Sequence, residues 1–155
     1  MRRFSTTYKN NNHFFSAMRL YILLLLLLLT ACHSSDVVII HTATENIPVQ
    51  IEIVDSAEEQ AVGLMFRTEL AENEGMLFIF TDMEQRGFWM KNTKIPLDII
   101  FMDSQGTIVD IKENFQPCTA DPCETYFSKP AQYALEVNAG FVKKNNVEVG
   151  NIIII

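Results

Sequence analysis

The ten-residue apolar run Leu20–Leu29 (LYILLLLLLL) constrains this chain most, because it decides which residues are left to fold. A helix crossing the ~30 Å hydrocarbon core needs about 20 apolar residues, so the run is too short to span a bilayer. Ahead of it, Met1–Arg19 is polar and carries Arg2, Arg3, Lys9 and Arg19 with no acidic residue. A basic stretch followed by a short apolar one is the layout of a secretory signal peptide, which is removed and never joins a core. Arg2-Arg3 lies far from the apolar run, so general secretion is the expected route rather than the twin-arginine one.

The segment that closes the run, Leu29-Thr30-Ala31-Cys32, resembles the lipobox of bacterial lipoproteins. The resemblance implies that the Cys32 thiol takes a diacylglyceryl group, that the chain is cut just before it, and that the new N-terminus is acylated. Two or more acyl chains, at about 0.8 kcal/mol per buried methylene, make such an anchor stable. With His33 rather than Asp after the cysteine, the same resemblance points to the outer membrane of a Gram-negative envelope, the domain lying in the periplasm. The expected organisation is a signal peptide over 1–31, a lipidated end and tether over 32–46, and one domain over 47–155.

Charge follows from that division. The full 155 residues hold 12 Lys+Arg and 19 Asp+Glu, a net of −7. Loss of residues 1–31 removes four bases and no acid, leaving 8 against 19 and a net of −11 over 124 residues. Such a domain lacks the basic face that displaces phosphate counterions, so nucleic acid is not an expected partner. Anionic headgroups repel it, and it should hang from its anchor.

The domain reads as mostly β. Val37–Ile40 fits either a first strand or an extended tether. Val49, Ile51 and Ile53 alternate with Gln50 and Glu52, the period of a half-buried strand. Ser56 with Glu59 three residues on forms a capping box, predicting a short helix over about Ala57–Met65. Gly75–Phe80 and Gly87–Met90 read as two buried strands, and Leu97–Met102 and Thr107–Lys112 flank the turn Asp103-Ser-Gln-Gly106. Gln132–Val137 is a further strand, Asn138 is positioned to cap a helix over Ala139–Lys144, and Val147–Ile155 ends as a strand that must be paired. Six or seven strands with two short helices make an α+β chain, a compact antiparallel barrel or rolled sheet.

Four strings carry a second resemblance: Gly63-Leu-Met-Phe-Arg67, Glu74-Gly-Met-Leu-Phe78, Phe88-Trp-Met-Lys-Asn-Thr93 with Ile95-Pro-Leu-Asp98, and Leu135-Glu136 with Ala139-Gly140 and Val149-Gly150. Over roughly Ile47–Ile153 the chain resembles domain of unknown function family 192, small bacterial and archaeal domains with no established activity. The resemblance therefore implies no catalytic residues. Its members usually carry Asp where Asn151 stands, so a turn role is kept here and a charge role is not.

Within these strings, Arg67, Trp89, Lys91, Asn92, Thr93, Asp98 and Glu136, with Glu74, are the candidate binding residues. Asp98 as general base and Lys91 or Arg67 as anion holder would suit a hydrolase or transferase acting on envelope material. Alternatively Asn92, Thr93 and Pro96 shape a turn, Asp98 accepts backbone N–H bonds, and Arg67 pairs with an acid. His33 and His41 are the only histidines after residue 31 and both precede the strings, which argues against a His-based triad or a zinc site.

Cys118 and Cys123 remain as an even pair once Cys32 is lipidated, and in an oxidising compartment a disulfide is expected. Met65, Met76, Met83, Met90 and Met102 lie near Trp89 in sequence; soft thioethers of this kind suit Cu(I), but in apolar strands they are also ordinary core filler. The expected protein is thus a lipid-anchored, non-catalytic module without cofactor that binds a small ligand or an envelope protein.

Overall fold

The computed structural model describes residues 36–155; the apolar run, the lipobox and Cys32 lie outside the described residues. The elements run β1 (Asp36–His41), β2 (Asn46–Val54), α1 (Ala57–Val62), β3 (Glu74–Trp89), β4 (Leu97–Met102), β5 (Ile108–Phe115), β6 (Thr125–Asn138), α2 (Phe141–Lys144) and β7 (Ile152–Ile154). They form one seven-stranded sheet in the order β5-β4-β6-β3-β2-β1-β7. Every pairing is antiparallel except β2 with β3, whose parallel register requires the crossover that carries α1. The sheet curls into a half-barrel, so the mostly β architecture with two short helices is as the sequence predicts.

Both faces of the sheet are covered. One face packs Val38, Val49, Leu77, Ile100, Leu135 and Ile153 with Phe141 and Val142 of α2. The opposite face packs Val54, Met76, Phe78, Phe88, Ile99 and Phe101 with Leu64 from the turn after α1. This double coverage explains a departure from simple alternation in β2. Val49 and Ile51 are buried as expected, but Ile53 is exposed and Val54 buried, because cover moves from one face to the other at the end of the strand.

The remaining differences have local causes. The two expected strands 75–80 and 87–90 are halves of one 16-residue strand, β3. Its pairing with β6 jumps from Ile79↔Tyr133 to Glu84↔Ala131, so Phe80–Met83 bulge out while the strand continues. Helix α1 stops at Val62 rather than Met65, because Gly63 turns to φ +47° and donates its N–H to the Glu59 carbonyl at 2.8 Å. Asn138 does not cap α2: its side-chain amide donates to the Leu70 and Ala71 carbonyls at 2.9 and 3.0 Å, and Gly140 occupies the cap position. Residues 36–41 form β1, with Val38 and Ile40 buried, so Val37–Ile40 is a first strand rather than a tether, and the folded sheet begins ahead of residue 47.

The terminal strand is short and held on both sides. Ile152–Ile154 pairs with Ile39–His41, while the Ile153 N–H donates to the Gly106 carbonyl at 2.8 Å and Thr107 bridges Ile152. Asn151 serves the preceding turn through its amide oxygen, which accepts the Glu148 N–H at 3.0 Å.

Candidate functional site

The register decides which candidate side chains can meet. Glu136 on β6 lies opposite Met76 of β3 and Ile99 of β4, while Asp98 lies opposite Val137. Side chains alternate along a strand, so Asp98 and Glu136 project from opposite faces of the sheet. Asp98 is fully buried, and its oxygens accept the Asn114 N–H at 2.8 Å and the Val142 N–H at 3.0 Å. It joins β5 and α2 to β4 and has no access to a substrate. Arg67 instead pairs with Glu52 at 2.5 Å on the surface. The proposed general-base and anion-holder arrangement of Asp98 and Arg67 is therefore not formed.

The other polar candidates divide in the same way. Lys91 is paired with Asp121 at 3.4 Å and lies 5.6 Å from the Trp89 ring centroid. Asn92 takes φ +59°, and its carbonyl accepts the Phe66 N–H at 2.9 Å, which fixes the turn after β3 to the turn after α1. Glu74 accepts the Ala71 N–H at 3.2 Å. The disulfide Cys118–Cys123 joins the loop ends, and the Cys118 N–H donates to the Met90 carbonyl at 3.2 Å, so this loop is tied to the end of β3. Met102 lies in the first core cluster, Met76 and Met90 in the second, and Met83 is exposed, so the methionines do not converge.

Glu136, Trp89 and Thr93 do come together. They line a cleft of about 350 Å³ between α1 and the turn after it on one side and β3 on the other, with Phe78 and Phe88 in its wall. Phe78 and Phe88 meet edge to face, with centroids 5.2 Å apart. Trp89 is half exposed, and Thr93 and Glu136 are buried. Gln60 of α1 donates to the Ile79 carbonyl at 2.7 Å and so fixes the helix above the cleft.

The Glu136 carboxyl is the unusual group. Glu136 is only 5% exposed, and its Oε2 has no hydrogen-bond partner among the described residues. A buried carboxylate without a partner is costly, and burial pushes the Glu136 pKa from 4.5 up to about 8. The group thus carries its proton at neutral pH.

Arg86 also borders the cleft but is already engaged. Its Nε donates to the Ala131 carbonyl at 3.0 Å, its Nη2 bonds Asp82, and its guanidinium stacks on Phe80 at 4.1 Å. Sequence reading missed Arg86, Gly63 and the phenylalanine wall. The available signal was convergence: each of the four strings that carry the family resemblance supplies wall residues, namely Gly63-Leu64-Met65, Phe78, Phe88-Trp89 with Thr93, and Glu136.

The DUF192 family profile, described as "Uncharacterized ACR", matches residues 38–155. The chain belongs to this family. Its DUF192 domain is 34% identical over 110 residues to a UPF0127 protein of Pyrococcus abyssi, covering 66% of this chain and 82% of that one. A crystal structure of a proposed transcription regulator from Sinorhizobium meliloti matches with a TM-score of 0.73 at 35% identity, covering 78% of this chain and 93% of the other. A protein of unknown function from Novosphingobium aromaticivorans matches with the same TM-score at 31% identity, over 78% and 85% of the two chains. The DUF192 domain therefore shares its fold with these proteins.

Proposed function

We propose that this protein is an exported, lipid-anchored envelope protein whose DUF192 domain is a non-catalytic small-ligand-binding module, the ligand lying in the cleft over Glu136. The observation that carries the ligand site is a single buried carboxyl with an unpartnered oxygen at an aromatic cleft. A volume of about 350 Å³ is at the small end of ligand sites, which span roughly 300–1,000 Å³. The basic leader, its short apolar run and the Leu29–Cys32 lipobox support the anchor, and the Cys118–Cys123 disulfide agrees with an oxidising compartment. The regulator label of the Sinorhizobium relative is not carried over, since 19 acids against 8 bases over residues 32–155 are poorly suited to a phosphate backbone.

Trp89 is the only tryptophan of the chain and lines the cleft, so its indole N–H resonance reports occupancy directly. A library of small amines, acids, amides and alcohols should contain members that shift this resonance. A library that leaves it unmoved would end the ligand-site reading. For the anchor, Cys32→Ser should leave the precursor uncut and free of acyl label; normal processing of that variant would refute lipidation.

A further inference from the structure

We infer that the cleft selects a primary ammonium group carried on an apolar or aromatic body, with the ammonium bonded to the Glu136 carboxylate. This deepens the reading of the cleft as a ligand site and rests on it. Four observations lead to that class. First, Oε2 of Glu136 is buried without a partner among the described residues, and in the carboxylate form it accepts only, so what stabilises that form is a donor, which an N–H supplies. Second, the surrounding wall is apolar and aromatic, from Leu64, Phe78, Phe88 and Trp89, which suits a hydrophobic body and a nearby cation.

Third, Gly63 leaves the approach open. A Cβ at that position would stand 3.1 Å from Cζ of Phe78 and 3.8 Å from Oε2 of Glu136, closing the side from which a ligand reaches the carboxyl. Fourth, once Glu136 ionises, the charge left uncompensated in the cleft is negative. Among the described residues Arg86 is the only other charged side chain lining it, and Asp82 and the Ala131 carbonyl already engage that guanidinium. The neighbours of Glu136 across the sheet are Met76 and Ile99; Glu74, two residues from Met76 on the same strand face, is exposed and accepts the Ala71 N–H.

Binding then involves one proton. At neutral pH the neutral Glu136 carboxyl gives its proton to the buffer as the ammonium arrives, and the bound state is a carboxylate–ammonium pair. Affinity should rise about tenfold per pH unit up to about pH 8, where Glu136 is ionised before binding, and then level off. An alcohol of the same shape releases no proton and shows no such rise.

The probes are 2-phenylethylammonium, its N,N,N-trimethyl analogue and 2-phenylethanol, titrated against the protein as the cell produces it. Trp89 fluorescence reads occupancy, and calorimetry in two buffers of different ionisation enthalpy reads proton release. The primary ammonium should bind most tightly, release close to one proton at pH 6.5, and gain affinity with pH. Glu136→Gln should weaken it by at least about 30-fold, as expected when one member of a buried charge pair is removed, and abolish the pH rise, while the alcohol, which forms no charge pair, loses less. Tighter binding of the alcohol or the trimethyl analogue, or an unchanged pH rise in Glu136→Gln, would overturn the ammonium assignment while the cleft remains a ligand site. If no compound of any class perturbs Trp89, the ligand-site reading itself falls. The wild-type pH series needs no variant, so the outcome does not depend on how Glu136→Gln folds.

Discussion

Glu136 ties the pH dependence of stability to the cleft. The folded chain holds this proton up to about pH 8, whereas the unfolded chain releases it near 4.5. Between those values the folded state binds more protons, so stability falls as pH rises, by about 1.4 kcal/mol per pH unit, and is flat on either side. Glu136→Gln removes that slope. In thermal melts its advantage over the wild type should grow from pH 5 to pH 8 and then stop growing; a constant difference would show that the carboxyl is not held protonated. Asp98 serves the fold rather than the cleft. Asp98→Ala orphans the Asn114 N–H and the buried Val142 N–H and should cost about 2–4 kcal/mol in denaturant unfolding, while ligand shifts at Trp89 persist in the folded fraction. The residue strings brought both acids to notice, but not their separation. Which face each occupies depends on pairing Ile99, rather than Asp98, against Glu136, and a one-residue change of register would reverse it.

At the scale of elements, what could be read was what is locally determined. The capping box of α1 forms as its spacing predicts, with the Glu59 N–H donating to Ser56 Oγ and the Ser56 N–H to Glu59 Oε2, and the Ser56 hydroxyl holds the Glu59 carboxyl below its usual range. The Asp103–Gly106 turn also forms, the Gly106 N–H donating to the Asp103 carbonyl at 3.1 Å. Features set by distant partners were not legible. Asn138 is drawn away from its helix by the Leu70 and Ala71 carbonyls. The polar stretch Thr81–Arg86 reads as a strand boundary, although no glycine or proline stands in it to turn the chain. Gly106 gives a test at this scale. With φ +80°, and with a Cβ falling 2.3 Å from the Ile153 carbonyl oxygen, Gly106→Ala must both strain the turn and push β7 away. Amide exchange at Ile153 should accelerate far more than exchange at Leu135 in the sheet centre; equal acceleration at both would mean global destabilisation instead.

For the whole molecule, two covered faces divide the work: α2, the terminal strand and Asp98 brace one, while the opposite face carries the cleft. The Cys118–Cys123 disulfide closes a loop with a sequence separation of five, worth about 2 kcal/mol on the chain-entropy model. The Cys118→Ser/Cys123→Ser double variant should therefore lose about that much in chemical denaturation and remain folded at 25 °C; loss of the fold would mean that the loop organises more than itself.

Strand β7 lies between β1 and the turn that joins β4 to β5, so the seam of the half-barrel is shut by Ile152–Ile154. Peeling those three residues away would open the half-barrel along this seam while leaving every pairing among β2, β3, β4, β5 and β6 in place.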